Sequence, residues 1–199
     1  MNIRWFICGF ILLYANIAIA SIRYTTLENF ESGSIILSSW SDEDVQPDAW
    51  TLSTSTPDGS SYCLQLTGNC YKLQQITPYP IDSTNVFQIQ VKTTSNPCIQ
   101  GIGFTDGMHS LFYSFSGTRI LDIEVWIPVY QGAFINNVWN TIQLPISNDW
   151  QAFWGYHPII NGIIYINDLD GLSSRSVWFD NLIDISSDLP VAPVVSIST

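Results

Sequence analysis

Two acidic side chains, Asp122 and Glu124, stand two residues apart in "ILDIEVWI", with Trp126 following at the same interval. On a strand, alternate residues share a face, so these three project together, the carboxylates about 6–7 Å apart along the chain. That separation overlaps the spacing of glycosidase carboxylates. Catalytic pairs, however, face each other across a cleft from different elements, in contrasting surroundings that drive their pKa values apart. Neighbouring acids on one strand lack that contrast. Carboxylates beside an aromatic ring are better suited to binding a sugar, which offers hydroxyls that donate and accept, and C–H faces that lie flat on a ring. A second stretch, "DWQAFWGYHP", gathers Trp150, Phe153, Trp154, Tyr156 and His157 within ten residues and has the same composition. Nucleophile signatures are missing: there is no Gly-x-Ser-x-Gly elbow, no His-Glu-x-x-His and no Cys-x-x-Cys pair, and His109 and His157 are the only histidines. The expectation is a binding protein and not an enzyme.

The elements that must carry these residues are strands. "NVFQIQVKT" alternates with Phe87, Ile89 and Val91 on one face; "ILDIEVWI" does so with Leu121, Ile123, Val125 and Ile127 inward. Short runs of the same kind recur between turn clusters such as "TPDGSS", "TGN", "TDGM" and "NDLDG", the last reading as the turn of a final hairpin. Ten to twelve such runs with almost no helix signal predict an all-β, antiparallel β-sandwich. In the closing run "VWFDNLIDI", Val177, Phe179, Ile183 and Ile185 form an apolar stripe that Asn181 interrupts beside Asp180. Trp40, Trp50, Trp139 and Trp178 read as core or edge packing. The faces of Tyr71, Tyr113 and Tyr165 are left open by the pattern; Tyr113 joins Trp126, Trp154, Tyr156, Asp122 and Glu124 as a candidate ligand contact.

Residues 1–20 combine Arg4, an apolar run and the small-x-small end Ala18-Ile19-Ala20, which reads as a secretory signal peptide cut before Ser21. The expectation is therefore a secreted protein with one domain over 21–188 and no membrane insertion after cleavage. Pro190 and Pro193 mark 189–199 as a linker or tail, with room for further domains beyond it. The whole chain of 199 residues carries a net charge of −11, and loss of Arg4 makes it more negative still, which excludes nucleic acid and anionic lipid as partners. An exported chain favours a disulfide among Cys63, Cys70 and Cys98, with one thiol left over. A two-residue turn at Gly68-Asn69 would set Cys63 opposite Gln74, too far from Cys70 to bridge; a longer loop would permit it, and the connectivity stays open.

The ends of the domain carry a resemblance. "LENFESGSIILSSW" and "VWFDNLIDI" resemble the opening turn and closing strand of galactose-binding-like jelly-roll modules. "SYCLQLTG", "VWNTIQLPIS" and "GIIYIND" fall between them in the same order, so that the likeness runs over most of residues 26–186. The named family it resembles is the family-eleven carbohydrate-binding modules, whose closing strand reads Val-Asp-Asn-Ile where this chain has Phe179-Asp180-Asn181-Leu182. The resemblance implies a jelly roll that binds a polysaccharide or other glycan without cleaving it, with Tyr156 matching a sugar-stacking tyrosine that precedes a Pro-containing segment. It also implies a structural calcium held by Asp180 with Glu28 and Glu31 of the opening turn, where Asn29 replaces a second Asp. Calcium takes six to eight oxygens, which carboxylates and carbonyls can supply. The alternative for Asp180 and Asn181 is that they satisfy backbone N–H groups at a β-bulge. The alternative for the whole chain is a structural or adhesive domain of a larger surface protein with no sugar ligand.

Overall fold

The computed structural model describes residues 24–94, 98–117, 125–128, 135–169 and 175–186. The expected signal peptide over 1–20, the tail after Ser186, Asp122 and Glu124 lie outside the described residues. Among the described residues, twelve strands form two six-stranded sheets. The strands are β1 (Thr25–Glu28), β2 (Ser38–Ser39), β3 (Trp50–Ser53), β4 (Cys63–Thr67), β5 (Cys70–Pro80), β6 (Phe87–Thr93), β7 (Ile99–Thr105), β8 (Ser110–Gly117), β9 (Val125–Pro128), β10 (Asn140–Leu144), β11 (Ile159–Asp168) and β12 (Ser176–Asp184). The first sheet runs β10-β6-β12-β4-β3 with β1 also on β12; the second runs β2-β5-β11-β7-β8-β9. Pairing is antiparallel as expected, except that β8 and β9 run parallel.

The alternation read from sequence seats the core. Phe87, Ile89 and Val91 of β6 are buried between the sheets with Phe104, Ile163, Tyr165 and Phe179, and Val125 and Ile127 pack against the same cluster. Tyr113 belongs here too: its ring is buried in this core, and its hydroxyl donates to Asp149 at 2.8 Å. That corrects its expected place in a ligand cleft.

Two connections weighed as hairpins join strands of different sheets instead. β4 lies in the first sheet and β5 in the second, so Gly68-Asn69 is a corner and not a hairpin turn. Gly68 adopts φ +76°, and a Cβ there would fall 1.9 Å from Gln46 Oε1, which accepts the Asn69 N–H at 2.8 Å. Only glycine leaves space for that anchor. Cys63 and Cys70 end as buried free thiols, their pKa values pushed up by burial to about 11 and about 12. Likewise β11 and β12, expected as the arms of a final hairpin around "NDLDG", belong to different sheets; Asp170 and Gly171 lie outside the described residues.

The Asp180-Asn181 pair marks a bulge. The register of β12 on β6 slips between Asp180 and Ile183, with Asn181 at φ +49°. An inserted residue flips every later side chain to the other face. Val177 and Phe179 point into the core before the bulge, but Leu182 does so after it, and Ile183 and Ile185 are half-exposed. The stripe predicted through Ile183 and Ile185 is corrected accordingly.

Among the described residues one helix interrupts the strands, α1 (Ile146–Trp154), in a sequence read as offering almost no helix signal. Pro145 precedes its first turn, a position that needs no N–H donor, and Gly155 closes it in the left-handed conformation with its N–H on Gln151 O. Ile146, Trp150 and Trp154 repeat every four residues and face the core, Ile146 and Trp150 fully buried and Trp154 half-buried.

Candidate functional site

The outer face of the second sheet is the surface on which an open cleft would lie. It is carpeted with apolar side chains: Tyr71, Ile99, Phe112, Trp126, Ile164 and Ile166, with Leu73 and Trp40 against them. The Trp126 ring stacks on Phe112 at 4.8 Å and 25°. Both rings lie flat on the sheet because β7 offers no side chains beneath them: a Cβ on Gly101 would come within 2.8 Å of the Trp126 ring, and one on Gly103 within 2.4 Å of Phe112. Trp126 is only 9% exposed. It projects outward as its alternation requires, but as part of a packed layer, which corrects its expectation as an exposed ligand contact.

Open aromatic surface survives at the end of this layer, where the β7–β8 turn meets the C-terminus of α1. A pocket of about 320 Å³ is lined there by Trp40, His109, Ser110, Phe112, Val125 and Trp154, with the exposed Met108 at its edge. Trp40, His109 and Trp154 are half-exposed. The His109 and Trp154 rings lie 5.1 Å apart at 30°, and Trp154 in turn rests 4.6 Å from buried Trp150. Buried Trp150 therefore supports Trp154, which stays half-exposed at the pocket.

The turn carrying His109 is braced by Asp106. Its Oδ1 accepts the backbone N–H groups of Met108 and His109, both at 2.8 Å. Its Oδ2 accepts the Tyr156 hydroxyl at 2.5 Å, and Tyr156 Oη lies 2.9 Å from His109 Nδ1. Burial alone would raise the Asp106 pKa, but the Tyr156 hydroxyl, the two N–H groups and His109 outweigh it and hold the carboxyl below its ordinary value. Burial and the Asp106 acceptor push the Tyr156 phenol up. Tyr156, expected as a stacking ring, is half-buried and ties its polar end to this network.

Of the six predicted ligand contacts, the structure brings Trp154 and Tyr156 to one place, buries Trp126 and Tyr113, and leaves Asp122 and Glu124 outside the described residues. Trp40 and His109 were missed. Trp40 follows a two-residue strand too short to show alternation, and His109 stands alone in sequence. A signal for the helix was present: apolar residues at 146, 150 and 154 between Pro145 and Gly155.

The predicted calcium set does not converge. Glu28 Oε1 accepts the N–H groups of Asn29 and Phe30, and its Oε2 accepts from Gln74. Glu31 takes the N–H groups of Ser61 and Tyr62, one per oxygen. Asp180 is fully buried, accepting the Asn181 N–H at 2.7 Å and the Ser60 hydroxyl at 3.4 Å. Burial raises its pKa to about 7, and the charges of Asp58 and Glu31 add to the rise. Among the described residues, no three His, Cys, Asp or Glu side chains are placed to share a metal ion. As they stand, these residues do not fit a calcium shell.

A second hollow of about 370 Å³ opens between β1 and β5, lined by Thr26, Gln74, Gln75, Thr77 and Tyr79 among others. It offers amides and hydroxyls, but Tyr79 is its single aromatic ring.

No protein-family model matches the sequence, and a comparison with curated proteins finds no match. Solved structures do match. The family 11 carbohydrate-binding module of the cellulosomal cellulase Lic26A-Cel5E of Clostridium thermocellum superposes with a TM-score of 0.54 at 14% identity, over 84% of this chain and 96% of that one. A family 11 module from the same organism, in complex with a β-1,3-1,4-mixed-linked tetrasaccharide, gives 0.53 at 14% over 84% and 98%. A family 30 module from a cellulosomal cellulase of that organism gives 0.53 at 13% over 84% and 100%. The chain thus has the jelly-roll fold of these modules, as the resemblance in its sequence implied.

Proposed function

We propose that this protein is a secreted, non-catalytic carbohydrate-binding module. The observation that carries the reading is the pocket of Trp40, His109 and Trp154, half-exposed rings lining an open hollow, on a fold shared with a module seen in complex with a tetrasaccharide. A pyranose would lay its C–H face on Trp154 and direct its hydroxyls to the polar edge of the pocket. Tyr156 backs this surface. Asp122 and Glu124, just ahead of Val125 in the chain, are further candidates for hydroxyl partners.

Pull-down on insoluble polysaccharides, followed by calorimetry with cellotetraose and a β-1,3-1,4-mixed-linked tetrasaccharide, tests the reading. Binding that Trp154→Ala abolishes supports it; no binding to any glycan favours the structural or adhesive alternative. Release of reducing sugar that vanishes in Glu124→Gln would make the protein an enzyme instead.

The structural calcium is a separate proposal. To join a cation at Asp180, Glu31 would have to release Ser61 and Tyr62. A Tm lowered by chelator and restored by calcium supports it; an unmoved Tm removes it.

A further inference from the structure

The hydrogen bonds behind His109 fix more than its position. Asp106 is a carboxylate held below its ordinary pKa, so it only accepts, and Tyr156 Oη lies 2.5 Å from it. A phenol has one proton, and that proton is committed to Asp106. At His109 Nδ1, 2.9 Å away, Tyr156 can then only accept. His109 must carry a proton on Nδ1, which leaves Nε2 of the neutral ring with a lone pair. No hydrogen bond to Nε2 is present among the described residues, and His109 lines the pocket. Nε2 is the ring nitrogen remote from Tyr156.

We infer that the chain Asp106–Tyr156–His109 locks His109 in its Nδ1–H tautomer, so that Nε2 serves as a hydrogen-bond acceptor for one hydroxyl of a neutral sugar stacked on Trp154. Asp106 and Tyr156 are thereby positioning residues for glycan recognition, and Asp106 acts without lining the pocket. The acceptor role rests on the carbohydrate-binding reading; the tautomer does not. Among exposed imidazoles in water, the Nε2–H form predominates, so the lock reverses the intrinsic preference and presents a lone pair where a donor would otherwise stand. Among the described residues, the charged and titratable groups against His109 are Asp106, from its own turn, and Tyr156, from the segment after α1. Ser110, beside it in the lining, offers a hydroxyl that both donates and accepts.

Two measurements test the inference separately. Long-range ¹H–¹⁵N correlation spectra of the free protein, recorded where His109 is neutral, read the tautomer without any glycan. The expected pattern is Nδ1–H in the wild type, shifting toward Nε2–H in Asp106→Asn, where a carboxamide can donate to Tyr156 and free its hydroxyl proton for Nδ1. Tyr156→Phe, which leaves Nδ1 without its acceptor, should shift the same way. A wild type that shows Nε2–H overturns the lock whatever the glycan data say. Calorimetry with cellotetraose and the mixed-linked tetrasaccharide then reads the role. Asp106→Asn should weaken binding roughly five- to tenfold, the effect of one mismatched neutral hydrogen bond, with its Tm kept as a check on folding. A tautomer that shifts with affinity unchanged overturns the acceptor role. A wild type that binds neither tetrasaccharide overturns the acceptor role together with the module reading, while the spectra still decide the lock.

Discussion

Two aromatic surfaces adjoin on the second sheet and share Phe112. On the outer face Phe112 and Trp126 lie stacked over Gly101 and Gly103, closed to water. Beyond the end of β8, Trp154 and His109 lie at nearly the same separation, with one side open. Ring type and ring spacing do not distinguish the two. What differs is support: the first pair rests on backbone stripped of side chains and is covered, whereas the second rests on α1 and a turn and ends at a hollow. An aromatic cluster becomes a binding surface only where something rigid holds one face and nothing occupies the other.

That contrast is broken most severely by removing the covered pair. Phe112→Ala empties a sealed layer and should cost about 3–5 kcal/mol, read as a lower midpoint in urea. If stability barely moves, the outer face is not a packed layer. Trp154→Ala should do the reverse, weakening tetrasaccharide binding at least about tenfold with a smaller loss of stability. An unchanged affinity would move the site elsewhere, the hollow between β1 and β5 being next.

Asp180→Asn sharpens the comparison with a buried polar site. The folded carboxyl keeps its proton up to about pH 7, whereas the unfolded one releases it near 3.8. Between those values the native state binds more protons, so this group's contribution is full below pH 4 and is lost as pH rises toward 7. The substitution should therefore stabilise at pH 8 by on the order of 1 kcal/mol or more, an advantage that fades by pH 4. A variant destabilised at pH 8, with a Tm newly insensitive to chelator, would point to bound calcium instead. Smallest of all, Tyr113→Phe should cost about 1 kcal/mol through the lost bond to Asp149 and leave glycan binding unaltered. A fall in affinity would return Tyr113 to the site.

The strands and their core faces were legible because alternation is a local property: Phe87, Ile89, Val91, Val125 and Ile127 all face as their spacing requires. The bulge at Asp180-Asn181 was legible as an interruption but not as a switch, since a one-residue slip shows only against a partner strand. Trp126 was placed on the right side of its strand and the wrong side of the solvent boundary. Trp40 and His109 left no signal, because each gains meaning from neighbours far away in the chain.

The sequence by itself determined an all-β sandwich, its jelly-roll likeness and an aromatic stretch around Trp154, because periodicity, turn residues and composition are written in consecutive positions. Only the tertiary structure decided which rings are covered, where the chain crosses between sheets, and that Asp106, Tyr156 and His109 meet. Burial and hydrogen-bond direction depend on what lies opposite a residue, and two packed sheets set that opposition between segments that the chain keeps dozens of residues apart.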